Sequence, residues 1–219
     1  QWVWEKFVQH GLKIIADDSF EPKLIIRLPI INIFIANSTM ATILPVLGKH
    51  PQMGSDCFIA PNATIVGDVV MGDECSVWFN AVIRGDVHYI KIGNKVNIQD
   101  GAIIHCTYQK NPTEIGNRVS IGHNAMVHGC TIHDDVLIGM GSIVMDRCIV
   151  HSNSIIAAGA VLLEGTVVES GTIYAGVPAK KVKDLSPDMV HTEIDRIANN
   201  YVQYASWFKD YNHNNFLKQ

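Results

Sequence analysis

The amino-acid sequence predicts a mainly β protein, built as a parallel β-helix of about six coils with a C-terminal α-helix packed alongside. Three observations predict it. Ile, Val, Leu or Met recurs every six residues in four runs, Ile59 to Ile83, Ile92 to Ile104, Ile115 to Val127 and Ile132 to Val168, 18 positions in all. Four places after each, the residue is small or β-branched (Ala63, Val69, Cys75 and Ala81 in the first run), with Tyr108 as the exception. Gly, Asn and Asp crowd the positions between, as in Gly67-Asp68, Gly72-Asp73, Gly93-Asn94 and Gly116-Asn117. We read these as turn residues that tolerate left-handed backbone angles. A period of six matches neither a helix, at about 3.6, nor one long strand, at about 2. It matches short strands joined by tight turns, three flat faces to a coil.

Each part of the chain can be justified in order. Residues 1–39 lack the repeat and are read as an N-terminal extension of unknown role. The segment Leu24 to Ala36 is apolar but spans only 13 residues and contains Arg27 and Pro29. A membrane span needs roughly 18, so none is expected. The start also lacks the Arg-rich, acid-poor character of a transit peptide. Met40 is a natural beginning for the repeat domain, which is placed at 40–180. Residues 181–219 are assigned to the C-terminal helix. Ser186-Pro187-Asp188 opens that helix with a hydroxyl cap, a proline at the first position and an early acid. Met189, Val190, Ile194, Ile197, Tyr201, Ala205 and Phe208 follow at helical spacing to about Tyr211.

Composition bounds the function. The 219 residues are 47% hydrophobic and only 17% charged, against roughly 25% charged in an ordinary soluble domain. The 17 Lys and Arg are outnumbered by 21 Asp and Glu, which argues against a nucleic-acid surface. Five cysteines without a C-x-x-C pair speak against a disulfide framework and for a reducing compartment, by default the cytoplasm.

The hexad slips three times. Ile83 to Ile92 spans nine residues, Ile104 to Ile115 eleven, and Val127 to Ile132 five. Arg84-Gly85-Asp86 lies in the first slip, His105 and Cys106 open the second, and His128-Gly129 lies in the third, with His123 in the preceding turn. Three neutral imidazoles are the ligand set of a catalytic zinc, with a fourth position left for water. His10, His50, His133, His151, His191 and His213 are read as surface residues. Cys75 and Cys148 fall on inward positions.

The Ile-Gly-x-x-Val-x repeats, ending in Tyr174-Ala-Gly-Val-Pro-Ala-Lys180, resemble the hexapeptide-repeat superfamily. That resemblance implies a left-handed β-helix. Within the superfamily, the chain resembles the gamma-class carbonic anhydrases through Asn80-Ala-Val-Ile-Arg-Gly-Asp86, Asn97-Ile-Gln-Asp-Gly101, Ile104-His105 and Ile121-Gly-His123-Asn-Ala-Met-Val-His128-Gly129. The likeness runs from about Ile43 to Lys180. It implies a homotrimer with zinc, or iron or cobalt in its place, between adjacent subunits. His105 and His128 would come from one chain and His123 from its neighbour. Arg84 and Asp86 would form a salt bridge across the interface, Gln99 would hydrogen-bond the metal-bound hydroxide, and Asp100 would support the subunit contact. The implied reaction is reversible hydration of carbon dioxide to bicarbonate by that hydroxide. The best-known member carries glutamates as proton shuttles, one just after its Arg-x-Asp and one in an acidic loop after the first histidine. Those places here hold Val87 and Thr107-Tyr-Gln-Lys-Asn-Pro-Thr-Glu114, which leaves His88 and Tyr204 as candidate shuttles. Two other functions suit the superfamily: a coenzyme A-dependent acyltransferase or thioesterase, and a non-catalytic, metal-binding trimeric assembly subunit.

Overall fold

The computed structural model describes residues 40–209 and the backbone of 27–28 and 31–32. Most of the N-terminal extension, and the end of the helix reading beyond Lys209, lie outside the described residues. The chain divides into two compact units, 1–39 and 40–219. In the first, Arg27–Leu28 pairs antiparallel with Ile31–Asn32. Among the described residues no helix is long and apolar enough to cross a membrane.

The second unit is a parallel β-helix of seven turns. Its third face stacks seven parallel strands in chain order: Phe58–Ile59, Ser76–Val77, Asn97–Ile98, Ser120–Ile121, Val136–Ile138, Ser154–Ile156 and Thr172–Gly176. One turn is therefore more than the hexad count predicts. The extra turn is the first. Ile43 pairs with Ile65 and Met53 with Met71 in parallel register. Ten residues separate Ile43 from Met53, and that insertion hides the turn from a search for sixes.

The inward column of the first face is Ile65, Ile83, Ile104, Val127, Val144 and Leu162, all without solvent contact. Full burial of such a side chain contributes roughly 1.5–3 kcal/mol. The small residues at the corner before this face, Ala63, Ala81, Ala102, Ala125, Ser142 and Ala160, are equally buried. They are small because the triangular section narrows there.

The glycine-Asx pairs lie at the corners as expected, but most of their glycines are there for a reason other than left-handed angles. Gly67 does take a left-handed angle (φ 78°), but after Gly72, Gly93 and Gly116 the left-handed angles fall on Glu74, Lys95 and Arg118 instead. The Asx side chains instead form a ladder between turns. The backbone N–H of Ser55, Asp73, Asn94 and Asn117 donates to the side-chain oxygen of Asp73, Asn94, Asn117 and Asp134, respectively, at 2.7–2.9 Å. A Cβ on Gly93 would lie 2.7 Å from the backbone of Gly116 and 2.8 Å from the Asn117 amide oxygen. Glycine is required here for close approach of the next turn.

Every slip in the hexad falls at one corner, between the first and second faces. The strands Thr64–Met71 and Val82–Ile92 run straight through that corner and serve both faces. The last turn ends differently. Ala179–Asp184 folds back antiparallel on Thr172–Gly176 and exposes Lys180, Lys181 and Lys183. The helix follows as α-helical Pro187–Met189, π-helical Val190–Asp195 and α-helical Arg196–Lys209. Its cap is the predicted one: the Ser186 hydroxyl accepts from the Met189 N–H. It packs against the third face through Phe58, Trp78, Phe79, Tyr201, Ala205 and Phe208.

Candidate metal centre

Alternation along a strand sends neighbouring side chains to opposite sides. On Ile103–His105 and Met126–His128, the middle residues Ile104 and Val127 point inward. The histidines therefore point outward, and parallel register stacks His105 on His128. The same outward column continues to Arg84 above. Beside it runs an apolar column in which Val82, Ile103, Met126, Ile143 and Val161 pair in register.

The two rings meet through single nitrogens: His105 Nδ1 lies 3.2 Å from His128 Nε2. Each ring's other nitrogen has a carboxylate. His105 Nε2 is 3.1 Å from Asp86 Oδ1, and His128 Nδ1 is 2.9 Å from Asp146 Oδ2. Burial raises the Asp86 carboxyl, but hydrogen bonds from Arg84 (2.6 Å) and His105 outweigh it and hold it below its ordinary value. Asp146 is held low in the same way: burial is overcome by bonds from Thr107, Asn111 and His128. Burial, with help from Arg84, keeps the His105 imidazole below its ordinary pKa despite Asp86. A neutral imidazole that donates one N–H to a carboxylate presents its other nitrogen as an acceptor, and here the nitrogens opposite the two carboxylates lie 3.2 Å apart. Two nitrogens bound tetrahedrally to one zinc at about 2.0–2.1 Å sit about 3.3 Å apart. The pair fits a shared cation.

His123 is placed elsewhere. It sits at the opposite edge of the first face, in the turn before Met126–His128. Its Nδ1 lies 3.0 Å from Asp100 Oδ2, and its Nε2 3.5 Å from the Tyr201 hydroxyl. Its backbone N–H donates to Gln99 Oε1 at 3.2 Å, and the Gln99 amide donates to Asn97 Oδ1 at 2.9 Å. The residues singled out from the sequence thus divide into two half-sites. Gln99, Asp100 and His123 meet at one edge; Arg84, Asp86, His105 and His128 meet at the other. Among the described residues no three His, Cys, Asp or Glu side chains come together as a ligand set.

His88 lines a cleft of about 410 Å³ with Asp86, Gly85, Val87, Tyr89 and Gln109. It opens at the corner that carries the slips. Tyr204 packs edge-on against Tyr201 and tilted against Trp207, with ring centroids 5.4 and 4.9 Å apart. The helix tyrosine at the half-site is Tyr201, its hydroxyl pushed up to about 12 by burial and then by Asp100 and Tyr204. The helical spacing places Tyr201 on the packing face, and only the fold shows that this face ends at His123. Asp146 carried no signal at all, because it lies in an unbroken hexad between Val144 and Val150.

Comparison with known proteins bears on what such half-sites do. The model described as bacterial transferase hexapeptide (six repeats) matches residues 50–85 and 129–164. A carbonic anhydrase of Geobacillus kaustophilus is 44% identical over 167 residues, which cover 76% of this chain and 91% of the relative. A probable carbonic anhydrase of Methanocaldococcus jannaschii is 48% identical over 147 residues, covering 67% of this chain and 89% of the relative. The crystal structure of a hexapeptide transferase family protein from Anaplasma phagocytophilum superposes with a TM-score of 0.73 at 38% identity, covering 76% of this chain and 98% of that one. With relatives this similar matched over nearly their whole length, the chain belongs to the gamma-class carbonic anhydrase family of hexapeptide-repeat proteins.

Proposed function

We propose that this chain is a metal-dependent carbonic anhydrase that interconverts carbon dioxide and bicarbonate, with its site built between subunits of a homotrimer. One observation carries the reading: a nitrogen of His105 and a nitrogen of His128 face each other at 3.2 Å, and the other nitrogen of each ring is braced by its own carboxylate. The relatives named carbonic anhydrase support it. His105 and His128 of one subunit would hold the metal, with His123 of the next as third ligand. The apolar column of Ile103, Met126 and Ile143 beside these ligands is exposed in the single chain and suits burial against a second copy. Zinc suits three imidazoles, and iron or cobalt would fit the same donors.

When bound, such a metal acts as a Lewis acid and brings the pKa of water from 15.7 to about 7. The chain's own residues do the rest. Asp86, locked by Arg84, fixes the ring of His105. Gln99 and Asp100 hold the backbone and Nδ1 of His123, which leaves Nε2, 3.5 Å from the Tyr201 hydroxyl, as the ring nitrogen to ligate. Val87 stands where the family's first glutamate would, so protons would leave through His88, whose cleft begins at Asp86. Five free thiols suit a reducing compartment such as the cytoplasm.

The hexapeptide transferase match supports a second reading, in which His105 and Asp86 serve as a general-base pair on an acyl thioester. One set of measurements decides. Purified anaerobically, the trimer should contain metal and hydrate carbon dioxide in stopped flow, and His123→Ala should lose both. A metal-free trimer would overturn the proposal. Metal without hydration would point to an assembly subunit, and acyl-CoA turnover insensitive to His123→Ala to the transferase.

A further inference from the structure

The irregular corner does more than carry histidines. The eleven-residue spacing of the fourth turn produces a loop after His105, closed by pairing of Thr107 with Asn111. That loop reaches past the fifth turn to the sixth. The Thr107 hydroxyl and the Asn111 amide both donate to Asp146 Oδ1, the latter at 3.0 Å. The other carboxylate oxygen takes the Nδ1–H of His128 at 2.9 Å. The fifth turn is one residue short at the same corner, and glycine stands there. A Cβ on Gly129 would lie 2.3 Å from Asp146 Oδ1 and 3.0 Å from the Asn111 Cβ. Gly129 is further held by Thr113, which accepts from its N–H at 3.0 Å and donates to the His105 carbonyl at 2.6 Å. The long corner and the short corner are therefore complementary: one supplies the donors and the other makes room for the carboxylate they hold.

We propose that Asp146 is the positioning residue of His128, and that the loop 106–112 and Gly129 exist to seat it. Asp146 selects the tautomer with the proton on Nδ1, and so turns the lone pair of Nε2 toward His105. A carboxylate behind a ligating imidazole also raises its basicity, and loss of such a partner costs roughly 10- to 100-fold in metal affinity. The inference rests on the reading of His105 and His128 as metal ligands. It adds a residue, a loop and a glycine to which that reading gives no role.

Two measurements test it on the full chain. The first is zinc affinity by competition with a chromophoric chelator, for the parent, Asp146→Ala, Asn111→Ala and His128→Ala. The second is the 15N NMR spectrum of the His128 ring in metal-free protein. Asp146→Ala should bind zinc 10- to 100-fold more weakly, and the His128 signal should move from the Nδ1–H tautomer to a mixture. Asn111→Ala keeps the carboxylate but removes one of its donors, so it should shift both readouts the same way by less. If His128→Ala loses zinc while Asp146→Ala keeps parental affinity and the parental tautomer, Asp146 is not a positioning residue. If Asp146→Ala does not fold, Asn111→Ala decides alone: parental affinity and tautomer there overturn the proposal. If His128→Ala binds zinc as tightly as the parent, the ligand reading fails and takes the proposal with it.

Discussion

A ligand set divided between chains can be tested by mixing defective copies. The strand Met126–His128 separates His123 from His128. His123 is engaged by Asp100 and Tyr201 at one edge, while His105 and His128 face each other at the other, and among the described residues no three such side chains meet as a ligand set. Chains with His123→Ala keep the His105–His128 pair, and chains with His128→Ala keep His123. In a closed ring each interface is heterologous, using one edge from each neighbour. A homotrimer of either variant has no complete site. A randomly mixed population completes a site wherever the first variant offers its pair to the second. That is the product of the two shares, at most about one site in four. Co-expression at equal levels should therefore restore about a quarter of the parental metal content and carbon dioxide hydration per chain, from near zero in either variant alone. Metal content that stays near zero in the mixture, with trimers confirmed by light scattering, would refute the divided site. So would parental metal content in the His123→Ala homotrimer.

Three other outcomes follow from the packing and the titrating groups. Asp86 and Asp146 titrate below their usual 3.8 when folded, so each stabilises the fold above that pH and loses its contribution as pH falls through its lower folded value. Circular dichroism of metal-free Asp146→Asn should accordingly show a shallower acid transition than the parent below pH 4, and identical profiles would contradict this. Ile104→Ala empties a site with no solvent contact directly behind His105 and should cost about 2–5 kcal/mol in urea unfolding; a cost under about 1 kcal/mol would mean the stack collapses to fill the gap. Cys57 is the one thiol of the five not buried, and its neighbour Cys75 lowers it from its ordinary value, so it should alkylate ahead of the other four. Peptide mapping after brief iodoacetamide treatment checks the order, and labelling at Cys106 or Cys130 first would contradict it.

The fold was legible because the β-helix writes its cross-section into the sequence once per face. Inward Ile and Val recur at six, and Ala or Ser marks the narrow corner. What stayed hidden is what the repeat cannot encode. The first turn was invisible because Ile43 and Met53 are separated by an insertion. The Gly-Asx pairs were legible as turns, but composition does not show the side-chain ladder by which they link successive coils. At the site, the slips marked His105 and His128 because a ligand corner departs from the repeat, and His123 was found only through its neighbours. Asp146 and Tyr201 escaped for opposite reasons: one obeys the hexad and the other obeys the helix. Each meets its histidine through tertiary contact, 18 and 78 residues away in sequence.

The returning strand Ala179–Asp184 has a consequence for the life of the protein in a crowded solution. A column of parallel rungs is a growing template, since its last rung presents free N–H and C=O groups to any extended chain of the same polarity. Here the chain reverses direction on that rung, covers it with its own backbone, and studs the new edge with Lys180, Lys181 and Lys183. An incoming strand meets reversed polarity and positive charge together. On this face the returning strand thereby blocks the route by which a stacked coil would join molecule to molecule into fibres, while Val161–Leu162 and Val167–Val168 remain the last rungs of the other two faces.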